Sequence, residues 1–226
     1  MLATRCHWRR LAIISLCTTL LLIGPLHFFV LPQLSGGYND DCITDKEKLN
    51  ALRYVLVKTT DLFDKANITY WLDFGTLLAA TRDGDLIPWD HDADIGYILK
   101  DINRVRKLKG DAKELGITLN GGAATYQSAS IDMFRYSNYI APSTGNDSER
   151  TSEPILISGF KSDGIFLTRY RHWEAVPTKW IFPVRRKAFL GKMMSVPSDV
   201  DAVLKHRYPL TYRFGIRFPY RWKCWI

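Results

Sequence analysis

Only four cysteines occur in the 226 residues, and no two stand in a C-x-x-C arrangement. The paired thiolate turns of a zinc module are therefore missing. No dense run of Lys and Arg forms the stripe of a nucleic-acid binder, and no segment repeats along the chain. The most telling absence is one of charge. Residues 11–31, LAIISLCTTLLLIGPLHFFVL, contain no Asp, Glu, Lys or Arg and are long enough to cross a bilayer once. Arg5, Arg9 and Arg10 precede the run, and Asp40 and Asp41 are the first formal charges after it. That asymmetry keeps the N-terminus cytosolic and sends the rest into the secretory lumen. A cleaved signal peptide shares the basic start and apolar core, but no A-x-A-like site closes a short core here. The expected plan is a cytosolic tail over 1–10, a transmembrane anchor over 11–31, a stem over 32–43 and a lumenal domain over 44–226.

Of the 31 basic residues, three lie in the tail, which leaves 28 against 23 acidic ones and a net +5 for the remainder. Such a surface tolerates anionic substrates without demanding them. Cys42 and Cys224 lie near the two ends of the lumenal part and can pair in an oxidising compartment, or stay as two thiols. Asn67 and Asn146 head glycosylation triplets, and only Asn146 lies in a segment of loop composition, 141–153.

What is present concentrates in residues 70–98, YWLDFGTLLAATRDGDLIPWDHDADIGYI. Asp90, Asp92 and Asp94 alternate, so an extended backbone sends all three carboxylates to one face. Carboxylates so close repel one another unless a cation neutralises them, and oxygen ligands suit a hard divalent ion that is commonly shared with phosphates. Gly75-Thr76 opens a short helix over 75–82, whose free N–H groups and missing Cβ would let a phosphate approach. Asp132, in the apolar setting Ile131-Asp132-Met133-Phe134, is a further carboxylate on an expected strand over 130–136. Two metals between such carboxylates can activate an attacking oxygen and stabilise a leaving one.

Around this block the pattern is mixed α and β. A helix is expected from Thr44, with Glu47 at the capping-box spacing, to Ala66. Strands are expected over 68–72 and 93–99, a helix over 101–115, and strands over 116–120, 165–170, 180–184, 187–190 and 193–196. A last helix is expected over 199–207. The fold class is α+β, a small mixed sheet with flanking helices behind one N-terminal transmembrane helix.

Trp71-Leu72-Asp73-Phe74-Gly75-Thr76-Leu77-Leu78-Ala79-Ala80-x-Arg82 followed by Ile87-Pro88-Trp89-Asp90-x-Asp92-x-Asp94-Ile95-Gly96 resembles the signature of the LicD family, which includes bacterial phosphocholine transferases, fukutin and fukutin-related protein. Weaker similarity extends over about residues 45–210. The resemblance implies a nucleotidyltransferase-like fold and transfer of a phospho-alcohol group, of ribitol phosphate or phosphocholine type, from a CDP-activated donor to a glycan hydroxyl. It implies Asp92 and Asp94 as ligands of Mg²⁺ or Mn²⁺, with Asp132 completing the site or acting as base. Gly75, Thr76, Arg82 and Asp90 are expected on the substrate side, Asp90 as a carboxylate that orients its neighbours. Asp73 reads as a helix cap and His91 as pointing away from the aspartates. Arg185, Arg186 and Lys187, His172, and Trp71, Trp89, Trp173 and Trp180 are further positions of interest. The implied partners are the CDP-linked donor, a glycan or glycoprotein acceptor and a Golgi or endoplasmic reticulum membrane, with no nucleic acid. The competing reading is an inactive, membrane-anchored glycan-binding or scaffolding homologue. One departure stands out: Tyr208 precedes Pro209, where the family commonly has a tyrosine–glycine pair.

Overall fold

The computed structural model describes residues 2–30, 41–139, 155–158, 175–209 and 212. The sequon at Asn146, the loop over 141–153, the strand expected over 165–170, His172, Trp173 and Cys224 lie outside the described residues. Two units are distinguished. The first contains helix α1 (Leu2–Pro25), which continues as a π-helical turn over Leu26–Val30. Its window Trp8–Pro25 has mean hydropathy 1.3 and no residue buried by protein. By length and composition this helix can cross a membrane. Cys17 is a free thiol, whereas Cys42 is disulfide-bonded.

The second unit starts at Thr44. Helix α2 (Lys46–Lys65) buries Leu52, Val55, Leu56, Thr59, Leu62 and Phe63 along one stripe, the period of a helix with a core-facing side. Its cap is Asp45, whose carboxylate accepts the Lys48 N–H at 2.9 Å. The capping-box reading of Thr44 fails by one residue, because Thr44 turns inward and bonds elsewhere. Both residue types cap well, at about 1 kcal/mol, so composition cannot separate them.

Strand β1 (Tyr70–Leu72) leads through Asp73 into α3 (Phe74–Arg82), and β2 (Ala93–Ile98) follows. The extended stretch begins at Ala93, so Asp90 and Asp92 lie on the approach to the strand and not within it. After a 3₁₀ turn, the helix expected over 101–115 is broken at Leu108 into α4 (Ile102–Lys107) and α5 (Lys109–Glu114). There the Leu108 N–H bonds to Val105, three residues back, and the tightened turn ends the first helix. β3 (Thr118–Leu119), β4 (Ala123–Tyr126) and the long β5 (Ala129–Tyr139) form a meander. Its first corner uses Asn120, whose side-chain oxygen accepts the N–H groups of Gly122 and Ala123. β6 (Ile155–Ser158) and β7 (Val176–Pro177) complete the main sheet.

The sheet runs β1-β2-β5-β4-β3, with β6 pairing the far half of β5 and β7 pairing β6. β1 and β2 are antiparallel and β2 and β5 are parallel, which makes the sheet mixed. Ala93, Ile95, Tyr97, Ile131 and Met133 are buried on one face. Asp94, Gly96 and Ile98 on β2 alternate with them and share the opposite face with Asp132, Phe134 and Tyr136 on β5. Residues 180–184 are no strand. α6 (Thr178–Ile181) turns there, and the carbonyls of Trp180 and Ile181 accept from Asp199 and Ser198 instead of a ladder partner. The hairpin of β8 (Arg185–Phe189) and β9 (Lys192–Val196) and helix α7 (Val200–Arg207), capped by Asp199, close the unit.

Candidate active site

The tight β1–α3 junction builds one wall. Asp73 is extended and its carboxylate accepts the Phe74 N–H at 2.9 Å, which caps α3. Phe74 takes φ +41°, a left-handed conformation that costs a side-chain-bearing residue on the order of 1–3 kcal/mol. Gly75 then brings the backbone against the aspartates. A Cβ on Gly75 would overlap Asp90 Oδ2 and lie 3.8 Å from Asp94 Oδ2. In this structure the glycine therefore makes room for a carboxylate. Thr76 is buried, and its hydroxyl accepts the Asp94 N–H at 2.7 Å, while the Asp94 carbonyl accepts the Asp73 N–H at 3.2 Å. The helix start and the strand start are thus bonded to each other.

Asp94 and Asp132 are register partners on the parallel strands β2 and β5, so their side chains stand side by side on one face. Asp92 is exposed two residues earlier, and Asp90 is half-buried against Gly75. The electrostatics follow from this crowding. Burial first, then the charges of Asp92, Asp90, Asp73 and Asp132, hold the Asp94 carboxyl well above the usual carboxylate range. Burial and Asp92 also raise Asp132. Among the described residues no Lys or Arg forms an ion pair with Asp92, Asp94 or Asp132.

Asp92, Asp94, Asp132, Asp90, Gly75 and Thr76 are therefore brought to one place. Arg82 is not. It ends α3, seven residues and about 10 Å along the axis from Gly75, and its guanidinium binds Asp83 at 2.8 Å. Arg186, from the basic cluster, pairs with Asp64 at 2.8 Å and Ser195 at 2.9 Å, on α2 and β9. Trp71 is wholly buried over Gly96, edge-on to Phe182, and is core.

Three residues, Tyr136, Arg207 and Tyr208, are neighbours of the site that sequence reading does not assign to it. Tyr136 donates to Asp73 Oδ2 at 2.6 Å, and Arg207 donates to the Tyr136 hydroxyl at 2.8 Å and approaches Asp73 Oδ2 at 3.4 Å. The Arg207 guanidinium also lies 4.0 Å over the Phe74 ring. Asp73 is thus more than a cap: it joins the strained turn to α7. Tyr208 next door is pushed far up by burial and by Asp94, Asp90 and Asp73. Tyr136 could have been found, since it continues the alternation Asp132–Phe134–Tyr136. Arg207 carries no local signal.

Among the described residues no three acidic, His or Cys side chains close around a single point. The donor chemistry nonetheless fits a hard divalent cation. Asp92, Asp94 and Asp132 offer oxygen ligands only, and their mutual repulsion is what such an ion would relieve.

The family model described as the LicD/FKTN/FKRP nucleotidyltransferase domain matches residues 67–199. Over 62 residues, 27% of this chain, the sequence is 42% identical to proteins named ribitol 5-phosphate transferase FKRP from Mus musculus and Homo sapiens. The matched stretch spans 13% and 12% of those proteins. An uncharacterised protein from Rickettsia prowazekii, RP689, is 40% identical over 68 residues, 30% of this chain and 26% of its own length. Among solved structures, the lincomycin-bound lincosamide antibiotic adenylyltransferase LnuA superposes with a TM-score of 0.38 at 13% identity, covering 69% of this chain and 82% of that one.

Proposed function

Because this chain belongs to the LicD/FKTN/FKRP family of nucleotidyltransferase domains, we propose that it transfers a phospho-alcohol group from a CDP-linked donor to a glycan hydroxyl. The observation that carries this reading is that Asp92, Asp94 and Asp132, where β2 and β5 begin, form no ion pair with Lys or Arg among the described residues. A divalent ion, Mg²⁺ or Mn²⁺, would be held by Asp92, Asp94 and Asp132, and it would supply charge neutralisation at the diphosphate. Asp90 leans on Gly75 and orients the approach to β2. Thr76 fixes Asp94 through its backbone N–H. Asp132, the register partner of Asp94, would either complete that metal site or take the proton from the acceptor hydroxyl. The acceptor oxygen bonds to the distal phosphorus, the bond from that phosphorus to the bridging oxygen breaks, and CMP leaves with that oxygen. Positioning and electrostatics would supply most of the catalysis.

The names of the mouse and human relatives support ribitol phosphate as the group moved. Helix α1 supports a single-pass anchor, and a type II orientation in the Golgi or endoplasmic reticulum would bring glycan acceptors to the domain. The test uses the full chain in lipid nanodiscs with Mg²⁺ or Mn²⁺, a panel of CDP-alcohols and a glycan acceptor. CMP release coupled to acceptor modification is expected, and Asp92→Asn should abolish it. Release from no donor, or wild-type turnover by D92N, would overturn the reading in favour of a binding or scaffolding role.

A further inference from the structure

Thr44 is a buried polar residue just before α2, and its N–H and hydroxyl both bond to the aspartate loop. Its N–H donates to the Pro88 carbonyl at 2.7 Å, its hydroxyl donates to the Asp90 carbonyl at 2.7 Å, and Oγ1 lies 3.0 Å from His91 Nδ1. The direction of the last bond follows from proton counting. A carbonyl only accepts, and a threonine hydroxyl has one hydrogen. With that hydrogen given to Asp90, Oγ1 can only accept from His91, so Nδ1 must carry a proton.

On the other side of Asp92, Thr76 Oγ1 accepts the Asp94 N–H. Asp92, exposed on the approach to β2, thus lies midway between two threonine clamps, one from the segment before α2 and one from α3. We propose that Thr44 is a positioning residue: it fixes the 90–91 peptide and the His91 ring, and thereby holds Asp90 and Asp92 in the orientation in which they serve a divalent cation. The cation part rests on the function proposed above; the clamp itself does not. Partners that orient a metal ligand typically change affinity by about 10- to 100-fold when removed.

Two measurements on the full chain in nanodiscs separate the parts. First, with ¹⁵N-labelled histidine at pH 8, above the ordinary histidine range, the ring resonances assigned by their loss in His91→Gln should report an Nδ1–H tautomer. Free histidine in water favours the Nε2–H form. An Nε2–H tautomer in the wild-type chain overturns the clamp, and this reading needs no variant of Thr44 to fold. Second, Mn²⁺ titration followed by electron paramagnetic resonance should show affinity about tenfold weaker in Thr44→Val and within about twofold of wild type in Thr44→Ser, with thermal melts run beside it. Wild-type affinity in T44V overturns the positioning role. If the wild-type chain itself binds no Mn²⁺, the metal reading and the positioning role fall together, and the tautomer alone decides the clamp.

Discussion

Two groups of aspartates in the same unit are built on opposite terms. Asp61 and Asp64, on α2, meet the β8–β9 hairpin: Lys192 reaches Asp61 at 2.5 Å and Asp64 at 3.2 Å, and Arg186 reaches Asp64 at 2.8 Å. Burial pushes the Asp64 carboxyl up, but Arg186 and Lys192 together hold it below its ordinary value. Among the described residues Asp94 itself forms no ion pair with Lys or Arg, and burial with four neighbouring carboxylates moves that carboxyl the other way. The first group attaches a hairpin to a helix and is complete as it stands. In the second, Asp92, Asp94 and Asp132 have no Lys or Arg ion pair among the described residues, the condition of a site that expects a ligand.

The sharpest way to break this contrast is to neutralise one member of each group. Asp94→Asn should cost about 10²- to 10³-fold or more in turnover, on the scale of removing one electrostatic stabiliser from an active site. Its cation-free fold should hold or gain stability, because a repelled, crowded charge is removed. Asp64→Asn should leave turnover within about twofold and lower the melting temperature, as Arg186 and Lys192 lose their shared partner. If D94N loses stability as D64N does, with activity intact in both, the two groups are alike and the contrast is wrong.

Between these extremes lies Asp73, buried and paired with Arg207. Its carboxylate and the Arg207 guanidinium are 1% and 2% exposed and 3.4 Å apart, with the Tyr136 hydroxyl bridging them. Removing one partner of a buried pair typically costs about 3–5 kcal/mol, because a charge is left without compensation. Arg207→Met should therefore destabilise by roughly that amount in chemical denaturation, and Asp73→Asn combined with it should be milder than the sum of the two. Additive effects would mean that the pair is not coupled.

This triad also marks where legibility ends. The alternating aspartates, the apolar stripe of α2 and Asp132 within an apolar strand are local patterns, and spacing alone displays them. Asp73, Tyr136 and Arg207 are 63 and 71 residues apart in succession, and no periodicity connects them. Only the parallel pairing of β2 with β5 and the return of α7 bring them together. Gly75 and Thr76 were legible as residues but not in their contacts. A helix start with Gly-Thr reads as a phosphate cradle until the strand beside it is known to lean a carboxylate on the glycine and to give an N–H to the threonine.

The pH dependence of stability sharpens the contrast with smaller changes. Asp64, lowered in the folded state, contributes stability that is present above the unfolded carboxylate value of about 3.9 and lost as pH falls through the folded one. Asp94, raised in the folded state, works in reverse: its contribution is present below about 3.9 and lost as pH climbs through the folded value. Urea melts without divalent cation should then show D64N flattening the acid side of the stability profile and D94N flattening the decline from about pH 4 towards neutrality. Identical profiles for both variants would mean that neither shift shapes folding.

Arg82 gives the smallest effect. As a phosphate ligand it would be indispensable, and Arg82→Gln would raise the donor KM by an order of magnitude or more. The geometry assigns it other work: Nη2 and Nε lie 2.8 and 3.1 Å from Asp83 Oδ2, at the end of α3 remote from Gly75. Cationic side chains in a last turn also favour the helix dipole. R82Q should therefore leave kcat and donor KM within about threefold of wild type and cost about 1.5 kcal/mol of stability, the lower end for a hydrogen bond between charged groups. A tenfold rise in donor KM at unchanged stability would move Arg82 from α3's own support into the substrate's contacts, and would give the acidic site the cationic partner that Asp61 and Asp64 already have.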